Sequence, residues 1–293
     1  MSNLITIKKK IKEFDKKIEV SGDKSISIRW VLLASLSNGL SKAQNLLISE
    51  DVLAAIRIVR KLGIKVTFKK DKCIIRGEGL NGFKYKKNMT INAENSGTLG
   101  RLILGLLVNT TEAIKLTGDQ SLSKRDFKRV SDPLTKFGAI FKLKNDKSLP
   151  LIIKGSKNLK PITYLEKRGS AQCKSSVIFA GLRTEGTTFI KAKKSRNHTE
   201  LMCRHLRLPI SVSSKKNYDL IKVKKAKKIE PLNYKIPSDI SSAAFFIVLV
   251  ALSNDSKLLI KNVNINNSRI GIVIILKRMG INIKFKNKKN YKG

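Results

Sequence analysis

A lysine, a serine and an arginine near the start of the chain have the spacing of an anion-binding group. Lys24 and Ser25 follow a Gly-Asp pair, and Arg29 comes four residues after Ser25, so Ser25 and Arg29 share one face of a predicted helix. The three side chains supply an ammonium, a hydroxyl and a planar guanidinium, which bind phosphate or carboxylate. The start of a helix adds free backbone N–H groups and a partial positive charge. This segment therefore predicts a site for an anionic small molecule.

A second segment of similar composition opens another predicted helix. Asn95 and Thr98 offer an amide and a hydroxyl, and Gly97 allows a ligand to approach the backbone closely. Arg101 follows about one helical turn later, and Arg125 lies in the next polar stretch. The segment repeats the combination of a polar helix start with nearby cations.

The third segment is Ser170-Ala171-Gln172, with Lys174 beside it. Any one of these polar residues alone is typical of an ordinary helix N-cap. Three helix starts that each carry a nearby cation favour a shared, anion-selective pocket to which the helix N-termini point. We predict Cys173, within this segment, to be a small packed residue rather than a nucleophile.

The helices that position these residues belong to a repeat. Polar helix starts recur about every 70 residues, and Asp239 marks a fourth, where we predict a helix cap. Behind each start follow short β-branched runs and a second, amphipathic helix that leads into strands. Gly63, Gly138 and Gly280 stand where a helix end needs a left-handed residue, and Arg207 holds that place in the third copy.

The repeating unit is therefore predicted to be βαβαββ, in an α/β fold built from α+β repeats. Three copies suffice to close one domain, because each unit needs neighbours to bury its helices. A fourth copy reaches its second helix and one strand, residues 281–286, and would begin a second, incomplete domain. We therefore expect the chain to be C-terminally truncated.

Composition narrows the class of protein. With 293 residues and 41% hydrophobic residues the chain is not predominantly disordered. The longest apolar run, residues 243–252, is too short for a membrane helix, and no secretory signal is visible. Three scattered cysteines predict neither a disulfide framework nor a metal site. We expect a cytoplasmic protein that does not bind a membrane.

A net charge of +40 raises the alternative of a basic nucleic-acid-binding protein. Most of the basic residues are lysine, and their clusters lack interleaved aromatic side chains, which makes a solvated basic surface the favoured interpretation. A positive field also attracts small anionic substrates. Binding to an arbitrary duplex is the observation that separates the two interpretations.

Six ordered motifs carry a resemblance to a known family. They are GDKSISIR from residue 22, NSGTLGRL from 95, GDQSLSKR from 118, SAQCKS from 170, SRNHTE from 195 and DISSAAF from 239. In this order and spacing they closely resemble the 5-enolpyruvylshikimate-3-phosphate (EPSP) synthase family, the 3-phosphoshikimate 1-carboxyvinyltransferases, over about residues 18–285. The sister family acting on UDP-N-acetylglucosamine is the more distant alternative, because it has a Lys-Asn pair where this chain has Lys24-Ser25.

The resemblance implies two domains, each of three βαβαββ units. Residues 22–234 would form one complete domain, and residues 1–21 with 235–293 part of the other, about one of its three repeats. The implied reaction transfers the enolpyruvyl group of phosphoenolpyruvate to the 5-hydroxyl of shikimate 3-phosphate and releases phosphate, on the route to chorismate and the aromatic amino acids. It implies no metal and no organic cofactor, and we expect a monomer.

The resemblance also assigns residues by position. The predicted shikimate 3-phosphate contacts are Lys24, Ser25, Arg29, Ser170, Ala171, Gln172, Ser195 and Arg196. The predicted phosphoenolpyruvate contacts are Lys24, Asn95, Gly97, Thr98, Arg125 and Gln172. The family's general acid and base would correspond to positions beyond Gly293, so no catalytic residue is assigned and we expect this polypeptide alone to be inactive.

Overall fold

The computed structural model describes residues 12–291, which fall into two compact units. Of the described residues, the larger unit comprises 22–236 with 287–291, and the smaller unit comprises 12–21 with 237–286. Residues 1–11 and 292–293 of the expected second domain lie outside the described part of the chain.

From the first described strand to the end of the first repeat, the chain forms four short strands and two helices. In chain order they are β1 (Asp15–Ile18), α1 (Lys24–Ser35), β2 (Asn38–Gln44), α2 (Glu50–Lys61), β3 (Lys65–Lys69) and β4 (Lys72–Glu78). The second repeat contains β5 (Met89–Asn92), α3 (Gly97–Leu106), β6 (Ile114–Thr117), α4 (Gln120–Ser123), α5 (Lys128–Thr135), β7 (Ile140–Lys144) and β8 (Ser148–Lys154).

The third repeat has the same order of elements, and a fourth follows it. The third contains β9 (Thr163–Glu166), α6 (Ala171–Gly181), β10 (Thr187–Lys193), α7 (His198–His205), β11 (Ile210–Ser214) and β12 (Tyr218–Lys224). The remaining elements are β13 (Tyr234–Lys235), α8 (Ile240–Ala251), β14 (Lys257–Ile260) and α9 (Gly271–Arg278).

Three four-stranded sheets share one strand order. The orders are β13-β2-β4-β3, β5-β6-β8-β7 and β9-β10-β12-β11. In each sheet the first two strands are parallel and the other pairs are antiparallel. The fold is thus a mixed α/β fold with three equivalent sheets.

The first sheet takes its first strand from a distant part of the chain. Tyr234 and Lys235 of β13 pair with Ala43 and Gln44 of β2, so the first repeat is completed only after the third has ended. In the smaller unit, β1 pairs in parallel with β14 in the same way, with α8 between them in sequence. In both parallel pairs, β13 with β2 and β1 with β14, the two strands therefore lie far apart in sequence.

Helices α1, α3 and α6 form the interior of the larger unit. Nearly every residue of each is buried, as expected for helices that are apolar on all sides. Trp30 of α1 is fully buried, and its indole Nε1 donates a hydrogen bond to the carbonyl of Leu232 at 2.9 Å. The sheets close over these helices with strands whose side chains alternate between buried and exposed, as in β4 and β12.

The backbones of α3 and α6 approach each other closely. A Cβ atom added to Gly105 would lie 2.1 Å from the carbonyl oxygen of Ser176, so only glycine fits there. The Ser176 hydroxyl donates to the carbonyl of Arg101 at 2.9 Å. This contact fixes how the first turns of α3 and α6 stand beside each other.

The predicted helix ends are confirmed. Gly63, Gly138 and Gly280 have φ angles of 89°, 108° and 89°, and Arg207 adopts the left-handed region with φ 51°. Asp239 caps α8 as predicted, because its carboxylate accepts from the Ser241 N–H at 2.8 Å. It also accepts from Arg269 at 3.0 Å, a partner that the sequence did not indicate.

The predicted strand at residues 281–286 is wrong. In the three sheets, the strand after the second helix pairs only with the strand that follows it, as β3 does with β4. Among the described residues the smaller unit has no such following strand, so residues 281–286 lack a partner for a ladder. Their apolar side chains, Ile283 and Phe285, pack against the small core around Val20 and Ile240 instead.

Helix α8 of the smaller unit is much less buried than its counterparts. Only Ile240 and Ala243 are buried, whereas the side chain of Phe245 is 80% exposed. Within the described part of the chain, no helix combines the length and the apolar character needed to cross a membrane.

A buried ion pair joins α6 to α7. The Lys174 ammonium lies 2.6 Å from a carboxylate oxygen of Glu200, and both side chains are almost completely buried. Neither group has a hydrogen-bond partner elsewhere in the described residues, so each is the direct counter-ion of the other.

We expect Lys174→Met to lower the free energy of unfolding by about 3–5 kcal/mol, because it leaves the Glu200 carboxylate buried and unpaired. Lys174→Met combined with Glu200→Leu should recover most of that loss, since no buried charge remains. Urea denaturation followed by circular dichroism measures both values.

Lys228→Met is the matched control, because Lys228 pairs with Glu230 at the same 2.6 Å but on the exposed surface. We expect it to change the free energy of unfolding far less than Lys174→Met does. Equal losses in the buried and exposed variants would contradict the argument from burial.

Candidate anion-binding site

The first turns of α1, α3 and α6 are capped by side chains. Asp23 accepts from the Ile26 N–H at 3.0 Å, and Ser170 accepts from the Cys173 N–H at 3.2 Å. The cap of α3 is Ser96, which accepts from the Leu99 N–H at 3.3 Å. Asn95, one residue earlier, is therefore not the cap. Each capped start presents the positive end of a helix dipole.

Arg29 is buried and holds three helices together. Its Nε donates to Thr199 at 2.7 Å, one terminal nitrogen donates to the Ser25 carbonyl at 2.9 Å, and the other donates to Ser175 at 3.1 Å. These bonds join α1, α6 and α7 and fix the guanidinium in one orientation. Arg29 is only 2% exposed, so its charge is held at the base of the α1 start.

Arg196 and Ser195 lie beside the start of α1. A terminal nitrogen of Arg196 approaches the Ser25 hydroxyl at 3.4 Å, and the Arg196 side chain is exposed. The hydroxyl of Ser195 is buried and has no hydrogen-bond partner among the described residues. The Lys24 ammonium, half-exposed, forms an ion pair with Asp51 of α2 at 3.2 Å. Ammonium, guanidinium and hydroxyl thus cluster around one helix start.

Gln172 connects the starts of α3 and α6. Its carbonyl oxygen accepts from Arg101 at 2.7 Å, and its amide nitrogen donates to Thr98 at 3.0 Å. Arg101 also donates to the carbonyl of Gly97 at 3.2 Å. These contacts bring four residues of the second and third segments into one network. Ala171 sits beside Gln172 in the first turn of α6, without a polar side chain.

Gly97 lies between two guanidinium groups. A Cβ atom built there would be 2.9 Å from a terminal nitrogen of Arg101 and 3.0 Å from one of Arg125. Arg125 donates to Asn95 at 3.2 Å, and Asn95 in turn donates to Asp119 at 2.6 Å. The absence of a side chain at residue 97 therefore leaves room for both cations next to the α3 start.

Burial sets the electrostatics of Arg101. Loss of solvent, followed by the positive charge of Arg129, lowers the pKa of Arg101 to about 10, so the guanidinium remains charged at neutral pH. Its Nε is buried without an acceptor in the described residues, although Gln172 and two carbonyls accept from its other nitrogens. The neighbourhood has positive charge that protein groups do not fully neutralise, which favours an anionic ligand.

The carboxylates near these helix starts are already bound by protein donors. Asp51 pairs with Lys24, and Asp119 accepts from Asn95 and from the Leu122 N–H. Glu166 accepts from the backbone N–H groups of Arg168 and Ser170. In the described residues the site thus supplies donors and positive charge. No group of three or more His, Cys, Asp and Glu residues in this part of the chain could hold a metal ion.

One residue that the sequence predicts near the site lies elsewhere, and several residues that contact the site were not predicted. Lys174 does not join the site, because it is buried in the pair with Glu200. Thr199, Ser175 and Asp119 position site residues through hydrogen bonds, yet none was assigned. Thr199 lies in the SRNHTE motif, so its place there was the signal available.

The chain matches the family model of EPSP synthase (3-phosphoshikimate 1-carboxyvinyltransferase) over residues 8–292. It is 42% identical to the 3-phosphoshikimate 1-carboxyvinyltransferase of Caldicellulosiruptor saccharolyticus, covering 92% of this chain and 62% of that protein. The corresponding protein of Caldicellulosiruptor bescii is 41% identical, over 96% of this chain and 65% of the relative.

A solved structure gives the same result for the fold. The EPSP synthase from Acinetobacter baumannii superposes with a TM-score of 0.88 at 34% identity, covering 96% of this chain and 63% of that one. The chain therefore spans somewhat less than two thirds of the length of these relatives. From sequence and fold together, the chain belongs to the EPSP synthase (3-phosphoshikimate 1-carboxyvinyltransferase) family.

Proposed function

We propose that this chain takes part, in the cytoplasm, in enolpyruvyl transfer from phosphoenolpyruvate to the 5-hydroxyl of shikimate 3-phosphate, with release of phosphate. The observation that carries the proposal is the network of Arg101, Gln172, Thr98 and Gly97 at the adjoining starts of α3 and α6. Both substrates carry a phosphate and a carboxylate, and this network with its neighbours offers the cations and N–H donors that such groups require.

Shikimate 3-phosphate is assigned to the side of the site formed by α1 and α6. Ser25 and Arg29 would hold its carboxylate end, and Ser195 and Arg196 its phosphate. The unpartnered Ser195 hydroxyl and the exposed Arg196 guanidinium support that placement. Further contacts come from Lys24, Ser170, Ala171 and Gln172.

Phosphoenolpyruvate is assigned to the α3 side. Gly97 would line its pocket, Asn95 and Thr98 would shape the pocket, and Arg125 would bind the anion. The position of Gly97 between the guanidinium groups of Arg101 and Arg125 supports this assignment. Lys24 and Gln172 would contact both substrates.

The chain's own residues would bind and orient the two anions. Holding the 5-hydroxyl close to the enolpyruvyl carbon makes the addition effectively intramolecular, and fixed guanidinium groups stabilise the phosphate as it leaves. We also propose that residues 22–234 act as one complete three-repeat domain, and that residues 1–21 with 235–293 contribute about one repeat to a second domain. We propose a monomer as the unit that binds.

We expect the purified chain to bind shikimate 3-phosphate in isothermal titration calorimetry. Arg196→Gln should weaken that binding about 10-fold to 100-fold, because it removes a charge-assisted hydrogen bond to the phosphate. Arg204→Gln, which removes an exposed arginine of α7, is the matched control and should leave the affinity unchanged. No binding by the wild-type chain, or binding of UDP-N-acetylglucosamine in its place, would overturn the assignment.

Turnover by the 293-residue chain alone should be at least about 10⁴-fold slower than that of a full-length relative. Two proton-transfer groups typically contribute ~10²–10⁴-fold each, and the carboxylates next to the described site are occupied by protein donors. Release of phosphate from phosphoenolpyruvate in the presence of shikimate 3-phosphate, followed with a coupled assay, measures this rate. A rate close to that of the relative would contradict the expectation.

We expect Gly97→Ala to weaken phosphoenolpyruvate binding at least about 10-fold, measured by calorimetry in the presence of shikimate 3-phosphate. The added Cβ meets the guanidinium ends of Arg101 and Arg125 and no backbone atom, so the melting temperature should change little. Gly271→Ala is the control, because a Cβ there meets nothing within 4 Å. Equal affinities of the two variants for phosphoenolpyruvate would show that Gly97 does not line the pocket.

A further inference from the structure

A second cationic cavity lies in the larger unit, beyond the C-terminal end of α6. It has a volume of about 630 Å³, within the ~300–1,000 Å³ typical of small-molecule sites. Its lining comes from the turns that follow β4, α6 and β12, together with the first residue of β2. The lining residues are Asn38, Gly79, Leu80, Asn81, Arg183, Glu185, Lys225, Ala226 and Lys227.

Arg183 distinguishes this cavity from an ordinary surface hollow. Its side chain is 8% exposed, and none of its three guanidinium nitrogens has a hydrogen-bond partner in the described residues. A buried guanidinium with all its N–H donors unused is costly, because it has lost water and gained no acceptor. Arg29 and Arg101, by contrast, are buried with several acceptors each.

The neighbouring groups do not neutralise Arg183. Tyr85 is the nearby titratable group, and burial raises its pKa, so the phenol is neutral and does not act as a counter-ion. Glu185 pairs with Lys225, and its side chain is mostly exposed. The cavity is therefore lined by three cations and one carboxylate, which leaves an excess of two positive charges.

The lining also carries a suitable amide. The carbonyl oxygen of Asn81 accepts from Asn109 at 3.3 Å, so its NH₂ group is the part left to donate to a ligand. An amide donor, two lysines and a forked guanidinium match the acceptor oxygens of phosphate or carboxylate, which arginine binds with two parallel hydrogen bonds.

We propose that this cavity, here called the Arg183 cavity, binds a small dianionic oxyanion through the guanidinium of Arg183. The shared chemistry is a pair of oxyanion oxygens that accept the two parallel N–H bonds of the fork, from either a phosphate group or a dicarboxylate. The site is separate from the candidate substrate site, because Ser170 and Arg183 flank opposite ends of α6. Eleven residues of helix separate these ends by about 16 Å.

The test is thermal melting of the chain in chloride buffer, with inorganic phosphate or malonate added at constant ionic strength. We expect the wild-type melting temperature to rise by about 5–10 °C at a ligand concentration about 100 times Kd. The melting temperature of Arg183→Gln should rise less than that of the wild type, because this variant no longer binds the anion in the Arg183 cavity. Without phosphate or malonate it should melt at the same temperature as the wild type or higher, because an unpaired buried charge has been removed.

Two further variants keep the result interpretable. Arg76→Gln removes an exposed arginine of β4 and should retain the full response. Arg183→Lys keeps the charge but loses the fork, and we expect it to bind phosphate at least about 10-fold more weakly. If Arg183→Gln does not fold, Arg183→Lys takes its place as the variant that is compared with the wild type.

Backbone amide NMR shifts locate the bound anion. Phosphate or malonate should shift the amides of residues 79–81, 183–185 and 225–227 in the wild type and in Arg76→Gln, but not in Arg183→Gln. A response to phosphate alone or to malonate alone identifies the ligand class. Identical responses in Arg183→Gln and the wild type, or no shifts at these amides, would show that Arg183 does not bind the anion and would overturn the proposal. Shikimate 3-phosphate binding at the other end of α6 is unaffected by either outcome.

Discussion

The hydroxyl of Ser176 donates to the carbonyl of Arg101 at 2.9 Å, at a point where α3 and α6 are so close that residue 105 has to be glycine. About one turn closer to their N-termini, the same two helices are joined by hydrogen bonds. Arg101 donates to Gln172, and Gln172 donates to Thr98. The alignment of the helices thus sets the geometry of the polar network. A shift of α3 along α6 would break the core contact and the site together, so packing and binding constrain the same residues.

The buried cations of the larger unit show how differently one type of charge can be accommodated. Lys174 forms an ion pair with Glu200, and Arg29 is surrounded by hydroxyl and carbonyl acceptors. Arg101 retains one unused donor, and Arg183 retains all of its donors. Because an unmet donor in the interior is costly, the unused donors of Arg101 and Arg183 are the ones at which an added anion would lower the free energy most.

Much of this arrangement could be predicted from the sequence, because it depends on local patterns. The repeat, the glycine and Arg207 helix ends and the polar helix starts all reflect spacing along the chain. Features that depend on distant partners could not be predicted in this way. Lys174 is buried because Glu200, 26 positions later, meets it. Residues 281–286 alternate like a strand, yet a strand also needs a neighbour to pair with.

The position of β13 has a consequence for the order in which the three sheets are completed during synthesis. Tyr234 pairs with Ala43, and the Leu232 N–H donates to Ser41 across a separation of 191 residues. While the polypeptide emerges from a ribosome, β2 therefore has one open edge until the third repeat has been translated, whereas the second and third sheets contain only strands of their own repeat. Nascent chains would thus finish their middle and last sheets before their first, and a chaperone that shields sheet edges would act longest at the earliest segment.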